Sequence, residues 1–309
     1  MRFPKTAKII FFATANIVFF YILYLWAKHN IHFHELMLAM KQSSMFSLWL
    51  CLLLNLFMLV LYGKRLALLV VKPVKKAFMV VCVGFGLNNL IPFRLGDALR
   101  VYFAKKTHGF PIPEMIVATF VEKCLDLMCV MIFALALFFA RGAIANEKMF
   151  YTALTLLVLI VAAVLASRHF LLYENKIKVY FVKHQIISRL ISSLEKFFSN
   201  KNHFSVICYT IVIWFFTWLI FYSYFKLNIH GHLFGWIDAV ALIVVTTISF
   251  ALPTALAGIG IFESGVVFYL IKFVGLDPAY ALALALVLHF IICMPQILLT
   301  CAIFMYRKK

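Results

Sequence analysis

The chain is a succession of apolar runs, several of them as long as a bilayer is thick: Ala7–Ala27, Ser43–Tyr62, Ile112–Ala140, Phe204–Phe225 and Ala279–Tyr306. A helix needs roughly 20 apolar residues to cross the hydrocarbon. Phe150–Ser167 comes close to that length, whereas Ala77–Ile91 is too short and Trp236–Leu252 and Ile259–Val274 are marginal. These lengths predict an all-α, polytopic membrane helix bundle of about six to eight transmembrane helices plus broken or re-entrant ones. With 65% hydrophobic and only 13% charged residues, against about 25% charged in soluble domains, residues 1–309 read as a single integral membrane domain. No stretch is long and polar enough for a soluble catalytic domain. Ala7–Ala27 exceeds a signal-peptide apolar core and is expected to remain as a span. The seven cysteines sit in or beside apolar runs without a CxxC pair, as small core hydrophobes do.

The short runs hold the chain's polar chemistry. Asn88-Asn89-Leu-Ile-Pro92-Phe-Arg94-Leu-Gly96-Asp97-Ala-Leu-Arg100 follows an uncharged run, and Pro92 and Gly96 forbid one uninterrupted helix. Irregular backbone at membrane depth is tolerated only beside protein or water. The stretch therefore predicts a re-entrant or broken helix lining a polar cavity, where a charged substrate group can be held. A second interruption echoes it: Pro253, then Gly258 and Gly260, then Glu263 opening the next helix. Interrupted segments in corresponding places of two halves point to an inverted repeat. Close helix packing is the simpler use of the two glycines.

A third constellation lies inside Ile112–Ala140. Glu122 and Asp126 are four residues apart and share a helical face, with Lys123 on an adjoining one. Each charge at the centre of a span costs roughly 2.5–3.5 kcal/mol, so all three must be satisfied within the bundle. Arg94 and Arg100 are the expected partners. Two uses remain open at this level: an ion-pair network that fixes packing, or a polar site that meets a headgroup or proton. His289, inside the last run, is read as a satisfied bundle histidine or as a headgroup contact.

Basic residues set the expected orientation. Those of the stretches 2–8, 64–76, 94–106, 168–201 and 307–309 gather on one face if Ala77–Ile91 enters and leaves on the same side, against Lys28, Lys41, Arg141, Lys148 and Lys226 on the other. The positive-inside rule then makes both termini cytoplasmic, in a cytoplasmic (inner) membrane. The net charge of +18 becomes topology plus attraction to anionic lipid headgroups, with no nucleic-acid motif. Between 168 and 203, Ile187, Leu190, Ile191, Leu194, Phe197 and Phe198 recur at helical spacing. They mark an amphipathic segment on the cytoplasmic surface or against the bundle ends. His29, His32, His34, Glu35, His230 and His232 fall on the opposite face as solvated loop residues; no metal site and no cofactor is expected. Walker, GxSxG, HExxH and dinucleotide motifs are absent.

The motifs resemble the flippase-like transmembrane domain of lysylphosphatidylglycerol synthases and of stand-alone integral membrane proteins. The likeness runs from about Ala7 to Tyr306 and is most specific over Asn88–Asp97, with Arg100 as a following arginine. Glu122, Lys123 and Asp126 look like the family's Glu-Arg-x-x-Asp pattern, and Pro253 to Glu263 looks like its Pro-x-x-Gly-x-x-Gly-x-x-Glu segment. Lys123 and His289 stand where arginine is usual, and Leu256 and Ala257 replace a more glycine-rich stretch. The resemblance implies movement of a phospholipid, or of a lipid-linked amino acid or sugar, between leaflets. It also implies headgroup contacts at Asn88, Asn89, Arg94, Asp97, Arg100, Glu122, Lys123, Asp126, Glu263 and His289. No soluble aminoacyltransferase part accompanies the membrane part, which argues against lipid aminoacylation. The alternatives are a membrane-embedded glycosyl- or phosphate-transferase, or a structural partner of an envelope-synthesis enzyme; a homo-oligomer is compatible with each.

Overall fold

The computed structural model describes residues 43–91, 95–141, 185–199, 201–229, 234–251 and 258–306, together with Met37, Lys41 and Thr155. These residues fold as helices, with no strand among them. In chain order they are α1 (Met45–Val70), α2 (Val74–Leu90), α3 (Gly96–His108), α4 (Ile112–Arg141), α5 (Gln185–Phe198), α6 (His203–Asn228), α7 (Trp236–Ala251), α8 (Ile261–Tyr269, continued by the π-turn Leu270–Val274) and α9 (Pro278–Tyr306). Among the described residues, four helices are long and apolar enough to cross a membrane: α1, α4, α6 and α9. The expected spans Ala7–Ala27 and Phe150–Ser167 lie outside the described residues.

The long and short helices alternate in the same order twice. α1 to α4 run 26, 17, 13 and 30 residues, and α6 to α9 run 26, 16, 9 plus a 5-residue π-turn, and 29. The packing repeats too: α2 lies on α9 as α7 lies on α4, and each short pair packs on itself. The corresponding helices α1 and α6 are antiparallel. At one end Asn228 of α6 accepts from the Ser44 amide at 2.7 Å and donates to Ser47 Oγ at 2.8 Å. At the other, Arg65 of α1 donates to Thr210 near the start of α6 at 3.3 Å. The two four-helix units are therefore inverted relative to each other, the arrangement of many transporter cores. Each carries its own apolar core, one around Leu66, Val80, Phe103 and Met115, the other around Phe225, Leu242, Phe262 and Leu288.

Local chemistry sets the breaks. At about 1.5 Å per residue, α2 and α7 reach only some 25 Å, short of the roughly 30 Å hydrocarbon. α3 ends on Gly109 at φ 67°, whose amide bonds the Ala104 and Lys105 carbonyls, and its basic last turn faces the negative end of the helix dipole. α8 is preceded by Gly260, φ 85°, and by Gly258 at φ 77°. Both are conformations that side chains resist. α9 opens at Pro278, with Asp277 Oδ1 accepting from the Ala279 amide at 2.9 Å.

α9 continues through Pro295, which has no N–H to give the Ile291 carbonyl. Asn55 of α1 supplies the missing donor, at 2.8 Å to Ile291 O and 3.1 Å to Ile292 O, with the Asn55 side chain fully buried. Asn55→Ala should therefore cost about 2 kcal/mol, the typical penalty for a buried carbonyl left without a partner. In the Pro295→Ala background the same change should cost less than half as much. Thermal midpoints of the four proteins in detergent measure both, and equal costs in the two backgrounds would refute the link.

α5 is the described part of the amphipathic segment. It packs on the first turns of α4, where Lys196 Nζ meets Glu114 Oε1 at 2.6 Å. The contact is with a bundle end.

Candidate functional site

The glycines of α2 set the geometry of the first polar hairpin. A methyl on Gly84 would lie 2.6 Å from Cδ of Arg100, so the missing side chain is the slot through which that arginine crosses α2. Gly96 is the first residue of α3 and is itself helical. The chain breaks before it, and its bare Cα lets α3 sit against the backbone of Asn88 and Gly84.

Arg100, 2% exposed, donates from Nη2 to Glu122 Oε2 at 2.9 Å and to Thr119 Oγ1 at 2.8 Å. Asp126 is held by a different residue. Arg65 of α1 grips it with both terminal nitrogens, at 2.7 and 3.1 Å, and brings Nε within 3.7 Å of Glu122 Oε1. Trp214 Nε1 adds a third donor to Asp126 at 3.2 Å, and the Tyr62 ring lies 5.0 Å from the Arg65 guanidinium. Lys123 turns away from this pair and meets Asp97 at 3.2 Å, its side chain half-exposed. Arg65, Arg100 and Lys123 thus balance Glu122, Asp126 and Asp97. Such bidentate and charge-assisted bonds are what make buried charge tolerable at membrane depth.

Two expectations change here. Arg65, assigned from its position to a cytoplasmic loop, is 1% exposed inside α1 and is the counter-charge of Asp126. Arg100, likewise counted among the basic residues outside the spans, is buried; it meets Glu122, as expected of the broken segment, and Thr119. Both therefore leave the set of basic residues on which the expected orientation rests. Arg94 and Pro92 lie outside the described residues, as do Pro253 and the loop histidines.

The second hairpin has its own buried pair. Glu263 Oε2 accepts the Gly260 amide at 2.7 Å, capping α8, and Oε1 meets His289 Nδ1 of α9 at 2.5 Å. Both side chains are about 7% exposed, and the rings of Phe262 and Phe250 lie against the imidazole. In each unit, then, the second short helix is tied to the following long helix by a polar pair: Arg100 to Glu122, and Glu263 to His289.

A cavity of about 270 Å³ opens between the two units, with walls from α1, α2, α4, α6, α7 and α9. Its polar lining includes Asn88, Asn89, Lys123, Asp126, Thr247 and Gln296, and Asn89 donates to Gln296 at 2.8 Å. Gly258 also reaches it, from the second interruption. Of the residues singled out in the sequence, Asn88, Asn89, Lys123 and Asp126 come together on this surface. Arg100, Glu122, Glu263 and His289 are buried outside that lining, and Asp97 meets it through Lys123 and Asn88. A family model for the lysylphosphatidylglycerol synthase TM region matches residues 11–299. The chain belongs to that family. Comparison with curated proteins and with solved structures gave no match.

As a lysylphosphatidylglycerol synthase TM region, the chain is a multi-pass membrane protein of lipid and envelope biology, and the matched span includes every residue of the cavity and of both buried pairs. Sequence reasoning missed Arg65, Trp214 and Gln296. The signal for Arg65 is the apolar run Leu66–Val71, which resumes directly after it and extends the helix past Gly63-Lys64-Arg65. Trp214 and Gln296 sit in apolar runs as ordinary span residues and carry no comparable mark.

Proposed function

We propose that the chain binds the polar headgroup of a phospholipid or lipid-linked amino acid or sugar in the cavity between its two inverted units, and moves that lipid between leaflets. The supporting observation is the cavity itself: a polar surface carrying Lys123 and Asp126, at the junction of the repeats, in a bundle otherwise faced with apolar side chains such as Phe46, Trp49 and Phe268. Its volume equals that of about nine waters, a space for a headgroup while acyl chains stay in the bilayer. Lys123 is the cation placed to meet a phosphate. Asn88, Asn89 and Gln296 provide neutral donors and acceptors around it.

A transferase would need a carboxylate ready to take a proton. Asp126 is held by Arg65 and Trp214, and Glu122 by Arg100, so the transport reading has the better support. The test is movement of fluorescent phospholipids and of a polyprenyl-phosphate lipid in proteoliposomes of the purified chain. Lys123→Gln, which removes one charge-assisted contact, should slow the transported lipid about tenfold, and Arg94→Ala serves as the comparison from the loop between α2 and α3. Absence of movement of every lipid by folded wild-type protein would sink the proposal.

A further inference from the structure

We infer a second lipid site, separate from the central cavity: a groove that holds the net-anionic headgroup of a membrane phospholipid at the junction of α1 and α6. The groove, about 600 Å³, is lined by Lys64, Lys72, Asn202, Ser205 and Tyr209 together with apolar residues from the end of α1 and the start of α2. It shares no lining residue with the central cavity. Its charged lining is wholly cationic. Among the described residues no ion pair engages Lys64 or Lys72, and no carboxylate lines the groove. Asn202 and Ser205 add the first turn of α6, a 26-residue helix with no acidic residue there, so the positive end of its dipole faces the same space.

The apolar part of the lining decides between a lipid and a free anion. Val71 and Val74, at 59% and 44% exposure, stand beside the lysines in the same groove. A soluble phosphate has no use for them; an acyl chain hanging from a phosphodiester does. The depth also fits, because the groove lies where two spanning helices end, at headgroup level. Lys64, seven residues inside α1, can carry its ammonium outward along its own methylenes.

The groove also adjoins the internal ion network. Lys64 faces it while Arg65 holds Asp126; Tyr209 faces it while Thr210 accepts from Arg65. A lipid seated there clamps α1 to α6 at the point where the network crosses between the units, so its binding registers as stability.

The measurement is the thermal midpoint of the full chain in detergent, with added phosphatidylglycerol, phosphatidylcholine or inorganic phosphate. Phosphatidylglycerol should raise the midpoint by about 3 °C, as a ligand near tenfold its dissociation constant does, and the other two should not. The Lys64→Gln/Lys72→Gln double variant should lose most of that rise. Lys105→Gln/Lys106→Gln, an equal change of charge on exposed positions of α3, should keep it. Retention of the full shift by Lys64→Gln/Lys72→Gln would overturn the site. An equal rise with inorganic phosphate would overturn its assignment to a lipid.

Discussion

Replacing Arg65 with leucine should lower the thermal midpoint by roughly 5 °C. Breaking a buried ion pair by removing one partner costs about 3–5 kcal/mol, because the other charge is left without compensation. The lower end applies here, since the Asp126 side chain is 23% exposed and can recover some hydration. At about 2.1 cal/mol/K of unfolding entropy per residue, about 3 kcal/mol corresponds to that change in midpoint for 309 residues. Arg65→Lys should recover only part of the loss, since an ammonium cannot make the two parallel bonds at 2.7 and 3.1 Å. The informative variant is Arg65→Leu/Asp126→Leu, which removes both charges. It should be more stable than Arg65→Leu alone, with Glu122 still paired to Arg100 at 2.9 Å. A double variant no better than the single one would mean that Arg65 matters for its packing and not for its charge.

Gly96→Ala should be strongly damaging for so small a substitution. Its Cβ would stand 2.4 Å from the Asn88 amide nitrogen and 2.5 Å from the Gly84 carbonyl oxygen, both backbone atoms of α2 that no rotamer change can move. α3 would have to withdraw, and Arg100 and Asp97 would be displaced with it. Overpacking of this kind costs about 3 kcal/mol at the upper end of its range. Gly109→Ala is the control. There the added methyl meets nothing within 4 Å, and the cost is the strain of φ 67°, about 1 kcal/mol. Thermal midpoints and the monodisperse fraction after solubilisation give the comparison. Similar losses for both variants would refute the close-approach explanation.

Much of this architecture was legible in the residues. Proline and glycine marked both interruptions, because few other residues stop a helix inside an apolar run. The four-residue spacing of Glu122 and Asp126 announced one polar stripe. Arg65 escaped notice for a geometric reason. It follows Lys64 where the apolar run pauses, and adjacent basic residues look like a cytoplasmic loop. On a helix, however, neighbours point about 100° apart, so Lys64 faces outward while Arg65 turns inward to Asp126. Gln296 and Trp214 give no such hint; only the packing of α9 and α6 brings them to the cavity. Asn55 becomes intelligible only beside Pro295, which lies 240 positions later in the chain.

The spacing of the buried pairs sets an order of assembly. Arg100 meets an acid 22 residues further on, Glu263 a histidine 26 further on, and Arg65 waits 61 residues for Asp126. At the usual pace of synthesis, about 5–20 residues per second, Arg100 spends roughly 1–4 s after emerging before Glu122 exists. Neither hairpin can settle in lipid as a finished unit during that interval. Each must stay at the insertion machinery, or at the headgroup level, until the long helix behind it arrives. The spacing thus predicts biogenesis in two strokes, α2–α3 with α4 and α7–α8 with α9, and a ribosomal pause placed just before α4 should leave the first hairpin open to quality-control proteases.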